Sequence, residues 1–180
     1  MPYHTIESQQ LFLHDKCMIT DTNLLTSAIL PSELHHSSSK EFLETFSSEY
    51  DFIIPVEVLI ETWGLISGKT GRIDLALELY NWVASPGNAT VVYLGNEFYN
   101  ASKRISEEVE VDIVDSILIY SSQTLAASCR LANPIPIATY ETRDFIKYVR
   151  LMHAKRKKIA GRQKIILLNP ESLDPNEYEF

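Results

Sequence analysis

Five short apolar runs, separated by longer stretches with helical spacing, limit what this chain can fold into. The runs are Met18-Ile19, Phe52-Ile53-Ile54, Val91-Val92, Ile135-Pro136-Ile137 and Ile165-Ile166-Leu167-Leu168. Residues 24–30, 41–48, 56–66, 74–84, 96–110, 111–131 and 146–158 lie between or beside them and read as helices, the stretch 96–110 as a polar helix or helix-loop. Strands alternating with helices predict a parallel sheet with helices on both faces, because a parallel crossover needs a long connection. The expected fold class is therefore α/β, a short parallel β-sheet flanked by helices on both faces. Residues 1–16 read as an N-terminal extension in which Leu11-Phe12-Leu13 could add a small strand, residues 17–170 as the domain, and residues 171–180 as an acidic tail.

The first run ends on Asp21, and Thr22-Asn23 then turn the chain into the helix beginning near Leu24, with Thr22 or Asn23 as its expected cap. Ligands of open α/β sheets bind outside the carboxyl ends of the strands, so Asp21 is held rigidly where chemistry is expected. Three more acids stand at comparable places: Glu61 in the helix after the second run, Asp115 near the start of the most apolar helix, and Asp144 after the fourth run. Taken singly, each has a plainer role: Asp21 a turn residue or cap, Glu61 a surface group, Asp115 a carboxylate at a positive helix end, Asp144 a cap. Taken together they point to a site. Two carboxylates ~5 Å apart at an effective dielectric of about 20 repel by roughly 3 kcal/mol. Four would consume much of a typical stability of ~5–15 kcal/mol, so a converged set needs protons or a hard cation. Carboxylate oxygens suit Mg²⁺ or Mn²⁺.

Charge is divided unevenly along the chain. The net charge is −8, yet nine of the 16 Lys and Arg and only one of the 24 acids lie between Arg143 and Lys164, leaving seven basic and 23 acidic residues elsewhere. A compact basic segment on an acidic body suits a phosphate-bearing partner, and a solvated helix end is the plainer account of Lys155-Arg156-Lys157-Lys158. Cys17 and Cys129 are too few for a disulfide framework, and no CxxC or His-rich spacing suggests zinc. No run of 18 apolar residues is present and the first ten residues are polar, so neither a membrane span nor a signal peptide is expected and a cytoplasmic location is. His35 and His36, in a Ser-rich loop, are expected to face solvent.

Four motifs in order carry a resemblance to a known family. They are Ile19-Thr20-Asp21-Thr22-Asn23, then Ile54-Pro55-Val56 leading to Glu61, then Val114-Asp115-Ser116-Ile117-Leu118, then Thr139-Tyr140-Glu141-Thr142-Arg143-Asp144-Phe145, with Leu168-Asn169-Pro170 at the end. In these, over about residues 17–170, the chain resembles the PIN-domain family, whose best-known members are VapC-type toxin ribonucleases. The resemblance implies a PIN-like sheet and metal-dependent hydrolysis of RNA phosphodiester bonds. It makes Asp21, Glu61 and Asp115 the three central acids and Asp144 the fourth, with Asn23 and Thr139 supporting them by hydrogen bonds. Glu141 stands where Asn or Asp is usual in the family, and Asp112, one turn before Asp115, is a further candidate support. Single-domain toxins of this family tend to be shorter than this chain.

The expected activity is thus an endoribonuclease using Mg²⁺ or Mn²⁺, with Asp21 and Asp115 as direct ligands and Glu61 and Asp144 bound directly or through water. No His is placed as a general base, which favours water activated by the cation. Arg143, Lys147, Arg150, Lys155, Arg156, Lys157 and Lys158 are the expected RNA contacts, and Tyr140 and Tyr148 either stack bases or pack in the core. An inhibitor protein (antitoxin) and a homodimer are the partners the resemblance brings with it. A non-catalytic RNA- or protein-binding module is the alternative. An aspartyl-phosphate phosphatase ranks last, because Asn23 stands where that chemistry wants a second acid.

Overall fold

The computed structural model describes residues 4–5, 16–85, 87–128, 134–155, 164–173 and 175–179. Among them, seven strands form one sheet: β1 (His4–Thr5), β2 (Cys17–Thr20), β3 (Asp51–Pro55), β4 (Ala89–Tyr93), β5 (Ile137–Ala138), β6 (Lys164–Leu168) and β7 (Pro175–Glu179). Their order is β1-β4-β3-β2-β5-β6-β7. Every pairing is parallel except β6 with β7. The helices are α1 (Thr22–Ile29), α2 (His36–Phe46), α3 (Val56–Thr70), α4 (Ile73–Ala84), α5 (Asn96–Val109), α6 (Ile113–Ser128) and α7 (Arg143–Lys155). α1, α2, α3 and α4 pack on one another, and α5, α6 and α7 form a second group, so the sheet is covered on both faces.

The central strand explains the architecture. All four residues of β2 are buried, as are all five of β3. Continuous burial rather than alternation is what a parallel strand with helices on both faces requires. Phe52, Ile53, Ile54, Leu24, Leu25, Leu118 and Phe145 are fully buried in the core that results. From β2 the chain builds leftward through β3 and β4, then crosses by α5 and α6 to β5 on the other flank of β2. Strand order therefore reverses at the β2–β5 pair, and the crevice at the carboxyl ends of such a pair is the place where α/β sheets bind ligands.

Four local expectations change. The cap of α1 is Asp21 itself, whose Oδ1 accepts from the Thr22 N–H at 2.6 Å, rather than Thr22 or Asn23. The Ser-rich loop winds into α2 from His36, five residues before the apolar spacing begins, because its polar side chains find partners: His36 Nδ1 lies 2.9 Å from the Ser27 carbonyl and Ser39 Oγ 3.0 Å from the Tyr140 hydroxyl. Residues 175–179, acid-rich and read as tail, form an edge strand, since the open side of β6 offers backbone groups to pair and Lys164 meets Glu177 at 3.2 Å. At the other edge His4–Thr5 pairs with β4, while Leu11-Phe12-Leu13 and Cys129 lie outside the described residues. Where α3 stops, Gly71 adopts φ 63°, a left-handed turn that favours glycine.

Candidate active site

The reversal of strand order brings Asp21, one residue past β2, beside Thr139, one residue past β5, and the Asp21 N–H donates to the Ala138 carbonyl at 3.2 Å. Asp21 is 4% exposed and both its oxygens are occupied. Oδ1 takes the Thr22 N–H, while Oδ2 accepts from Asn23 Nδ2 and from the Thr139 hydroxyl, both at 2.7 Å. The Thr139 hydroxyl in turn accepts from Asn23 Nδ2 and from the Glu141 N–H, each at 3.0 Å. Asn23 Oδ1 accepts from the Tyr140 N–H at 3.1 Å. Asn23 and Thr139 thus make a closed bracket that fixes the Asp21 rotamer. Burial nevertheless wins over these bonds: it pushes the Asp21 carboxyl up to about 6, with the Glu61 charge adding to the rise and Thr139, Thr22 and Asn23 opposing it.

Glu61 reaches the same place from α3, where the Thr22 hydroxyl donates to its Oε2 at 2.6 Å. Asp115 comes from the first turn of α6. Among the described residues no donor reaches its carboxylate. Burial first, then the charges of Asp21, Asp144, Asp112 and Glu61, push Asp115 up to about 7. Asp21, Glu61, Asp112, Asp115 and Glu141 line one cavity of about 310 Å³. Sequence positions spread over 120 residues therefore meet at one end of the sheet.

Each supporting residue has a definite task. Asp112 Oδ1 accepts from the Val114 N–H at 2.8 Å, so it caps α6 while its charge bears on Asp115. Glu141 Oε1 accepts from the Arg143 N–H at 3.3 Å at the start of α7 and leaves its carboxylate exposed on the cavity. Asp144 lines an adjoining groove of about 480 Å³ with Glu110, Arg143, Lys147 and Arg150. There it pairs with Arg143 at 3.5 Å, and Lys147 Nζ donates to the Glu110 carbonyl at 2.6 Å. The side chain of Lys155 and residues Arg156, Lys157 and Lys158 lie outside the described residues. Tyr148 is buried in the core, and the Tyr140 ring stacks on His35 at 4.1 Å. His35, expected in solvent, is held further by Glu171 at 2.7 Å.

Thr22, from the first motif, positions Glu61, and the cavity also contains residues outside the motifs, among them Thr26, Glu33 and Lys69. Lys69 lies beyond residue 66, where the sequence predicts the end of this helix; because α3 runs on to Thr70, a spacing of four from Leu65 and eight from Glu61 puts Lys69 on their face. Glu33 carries no such signal.

Mg²⁺ and Mn²⁺ match the donors present. Carboxylates whose charged form is disfavoured by burial and then by neighbouring acids suit a hard cation. Thr26 Oγ1, buried on this cavity, has no partner among the described residues. The side chains as they stand do not form a ready-made coordination sphere: among the described residues, no three His, Cys, Asp or Glu converge on one point that an ion could occupy. Of the four acids expected from sequence, Asp21, Glu61 and Asp115 line this cavity, and Asp144, whose charge also bears on Asp115, lines the adjoining groove.

No protein-family model matches the chain, and no curated protein matches it. Solved structures do match in fold. The VapC20 toxin of Mycobacterium tuberculosis, which cleaves the sarcin-ricin loop, is similar with a TM-score of 0.53 and 13% identity over 72% of this chain and 93% of that one. A toxin–antitoxin complex from Klebsiella pneumoniae is similar with a TM-score of 0.52 and 16% identity over 85% and 97%. VapBC2 of Rickettsia felis, bound to a DNA fragment from its promoter, gives 0.53 and 15% over 73% and 92%. At 13–16% identity the likeness is one of fold, and the fold of this chain is the PIN-like α/β fold of the VapC toxins.

Proposed function

We propose that the protein is a divalent-metal-dependent endoribonuclease of the PIN type, acting as the toxin of a toxin–antitoxin pair in the cytoplasm, with residues 17–170 as its catalytic unit. The observation that carries the reading is that Asp21, Glu61 and Asp115, from three separate elements, line one cavity at the switch in strand order. The fold of the VapC toxins and the absence, among the described residues, of a helix long and apolar enough to cross a membrane are consistent with it.

Asp21 and Asp115, with Glu61 and Asp144, would hold Mg²⁺ or Mn²⁺; when bound, the ion lowers the pKa of water and offsets charge on the phosphoryl oxygens. The remaining work falls to the chain. Asn23 and Thr139 keep Asp21 in one rotamer, and Thr22 does the same for Glu61. Arg143, Lys147 and Arg150, beside Asp144, hold the phosphate backbone, each phosphate neutralised steepening the salt dependence by roughly 0.7 on single strands. Lys155, Arg156, Lys157 and Lys158 extend that basic track along the chain. An antitoxin and a second copy of the chain are the protein partners this reading brings.

The test is Mn²⁺-dependent cleavage of a mixed RNA pool, with Asp21→Asn as control. Cleavage by the wild type and not the variant is expected; equal behaviour of the two overturns the reading in favour of a non-catalytic binding module.

A further inference from the structure

Lys69 is the one basic residue among the described residues that line the acidic cavity. It belongs to the last turn of α3, two turns beyond Glu61 and one beyond Leu65, all three facing the cavity. Eight residues of helix place it about 12 Å along the axis from Glu61. Its Nζ is held by Glu33 Oε1 at 2.9 Å, from the segment between α1 and α2. The two side chains are 52% and 30% exposed, so the pair sits at the rim, open to exchange with a solute anion.

Position gives the pair its meaning. α3 follows β3 and α7 follows β5, the two strands that flank β2. Lys69 and the groove of Arg143, Lys147 and Arg150 therefore arise on either side of the strand that carries Asp21. A polyanion drawn across a cavity lined by carboxylates is repelled between its anchoring points, and it needs a cation on each side to stay in place. The α7 groove supplies one anchor. Along α3, Lys69 supplies the other.

We propose that Lys69 grips a backbone phosphate of the RNA strand on the α3 side of the cavity, and that Glu33 holds Lys69 in the empty protein and competes with that phosphate. The inference rests on the ribonuclease reading and assigns to that site the second anchor of its substrate. Lys69 is a positioning residue; nothing places it on the reacting atoms.

The two partners of one ion pair then have opposite signs, which a purely structural clip does not give. Lys69→Gln is expected to raise KM for a short oligoribonucleotide about threefold to tenfold at low salt, with kcat little changed, and to flatten the log–log salt slope by roughly 0.7. Glu33→Gln frees Lys69 and lowers KM by about twofold to threefold. Lys69→Arg, which keeps the charge, stays near wild type. Replacing backbone phosphates one at a time by neutral methylphosphonate finds the contacted position in the wild type, and Lys69→Gln is insensitive there. Fluorescence anisotropy of the same RNA on an Asp21→Asn background reads the changes as affinity, without cleavage. Both side chains are exposed enough that neither variant threatens the fold. If the wild type cleaves but both variants bind and cleave as it does, or both weaken binding together, the assignment of Lys69 is overturned while the nuclease survives. If the wild type cleaves no RNA with Mn²⁺ present, the reading beneath it falls first.

Discussion

Asp115→Asn should stabilise the metal-free protein, and only above the acid range. An unperturbed aspartate titrates near 3.8, whereas Asp115 stands at about 7 in the fold. The folded state therefore binds a proton that the unfolded state has already lost. Stability from this group is complete below about pH 4, falls as the pH rises from about 4 to about 7, and is gone above that. A gap of roughly three pH units at about 1.4 kcal/mol each comes to about 4 kcal/mol. Because Asp115 is only partly buried and solvent screens its charge, and because part of the shift belongs to its pairing with Asp21, about 1–3 kcal/mol is the expectation for one substitution. Asparagine copies the protonated shape and removes the charge. For a chain of 180 residues, that predicts a rise in thermal midpoint of roughly 2–12 °C at pH 8 in the presence of chelator. At pH 4 the two proteins should melt within a degree or two of each other. Differential scanning calorimetry across this range decides it. A variant that is equally stable at pH 8, or less stable, refutes the claim that Asp115 stands half-buried among uncompensated charges.

Saturating Mn²⁺ should raise the melting point of the wild type, by about 2.7 kcal/mol of stability at a hundredfold excess over Kd, and leave Asp115→Asn nearly unmoved, as followed by the same calorimetry. Thr139→Val removes one of the two side-chain donors to Asp21 Oδ2 and takes the hydroxyl acceptor from the Glu141 N–H; urea unfolding should show a loss of about 1–3 kcal/mol, and Thr139→Ser should restore most of it. It should also move the Asp21 carboxyl still higher, a change NMR titration of that group would register. Replacing Arg143 and Lys147 with Ala should weaken RNA binding with a salt slope shallower by roughly 1.4, against no change in slope for a surface pair outside the groove. Phe145→Ala, at a fully buried position, should cost about 3–5 kcal/mol by urea unfolding.

Much of this protein was readable from its residues alone. Runs such as Phe52-Ile53-Ile54 and Ile165-Ile166-Leu167-Leu168 are long enough to be strands and too short to be helices, so their alternation with amphipathic stretches leaves few architectures beyond a parallel sheet covered on both faces. An aspartate directly after the first of them, followed by a residue able to start a helix, already marked Asp21 as the anchor of any site. Local rules carry that information because a strand's burial and a helix's first turn depend on neighbours in sequence. The antiparallel edge of residues 175–179 escaped them: a stretch that opens on proline and carries two acids acquires a strand's geometry only when β6 offers an unpaired side. The same holds for the site's finer assignments. Whether Asp144 shares a cavity with Asp115 or faces the basic groove, whether Asp112 caps a helix as well as charging its neighbour, and where Lys69 finds Glu33 all depend on strand order and on the angles at which helices leave the sheet. Electrostatic energies fall with distance through space and not along the chain, so the coupling of Asp21 to Asp115 exists only once β2 and α6 have been brought to the same end of the fold.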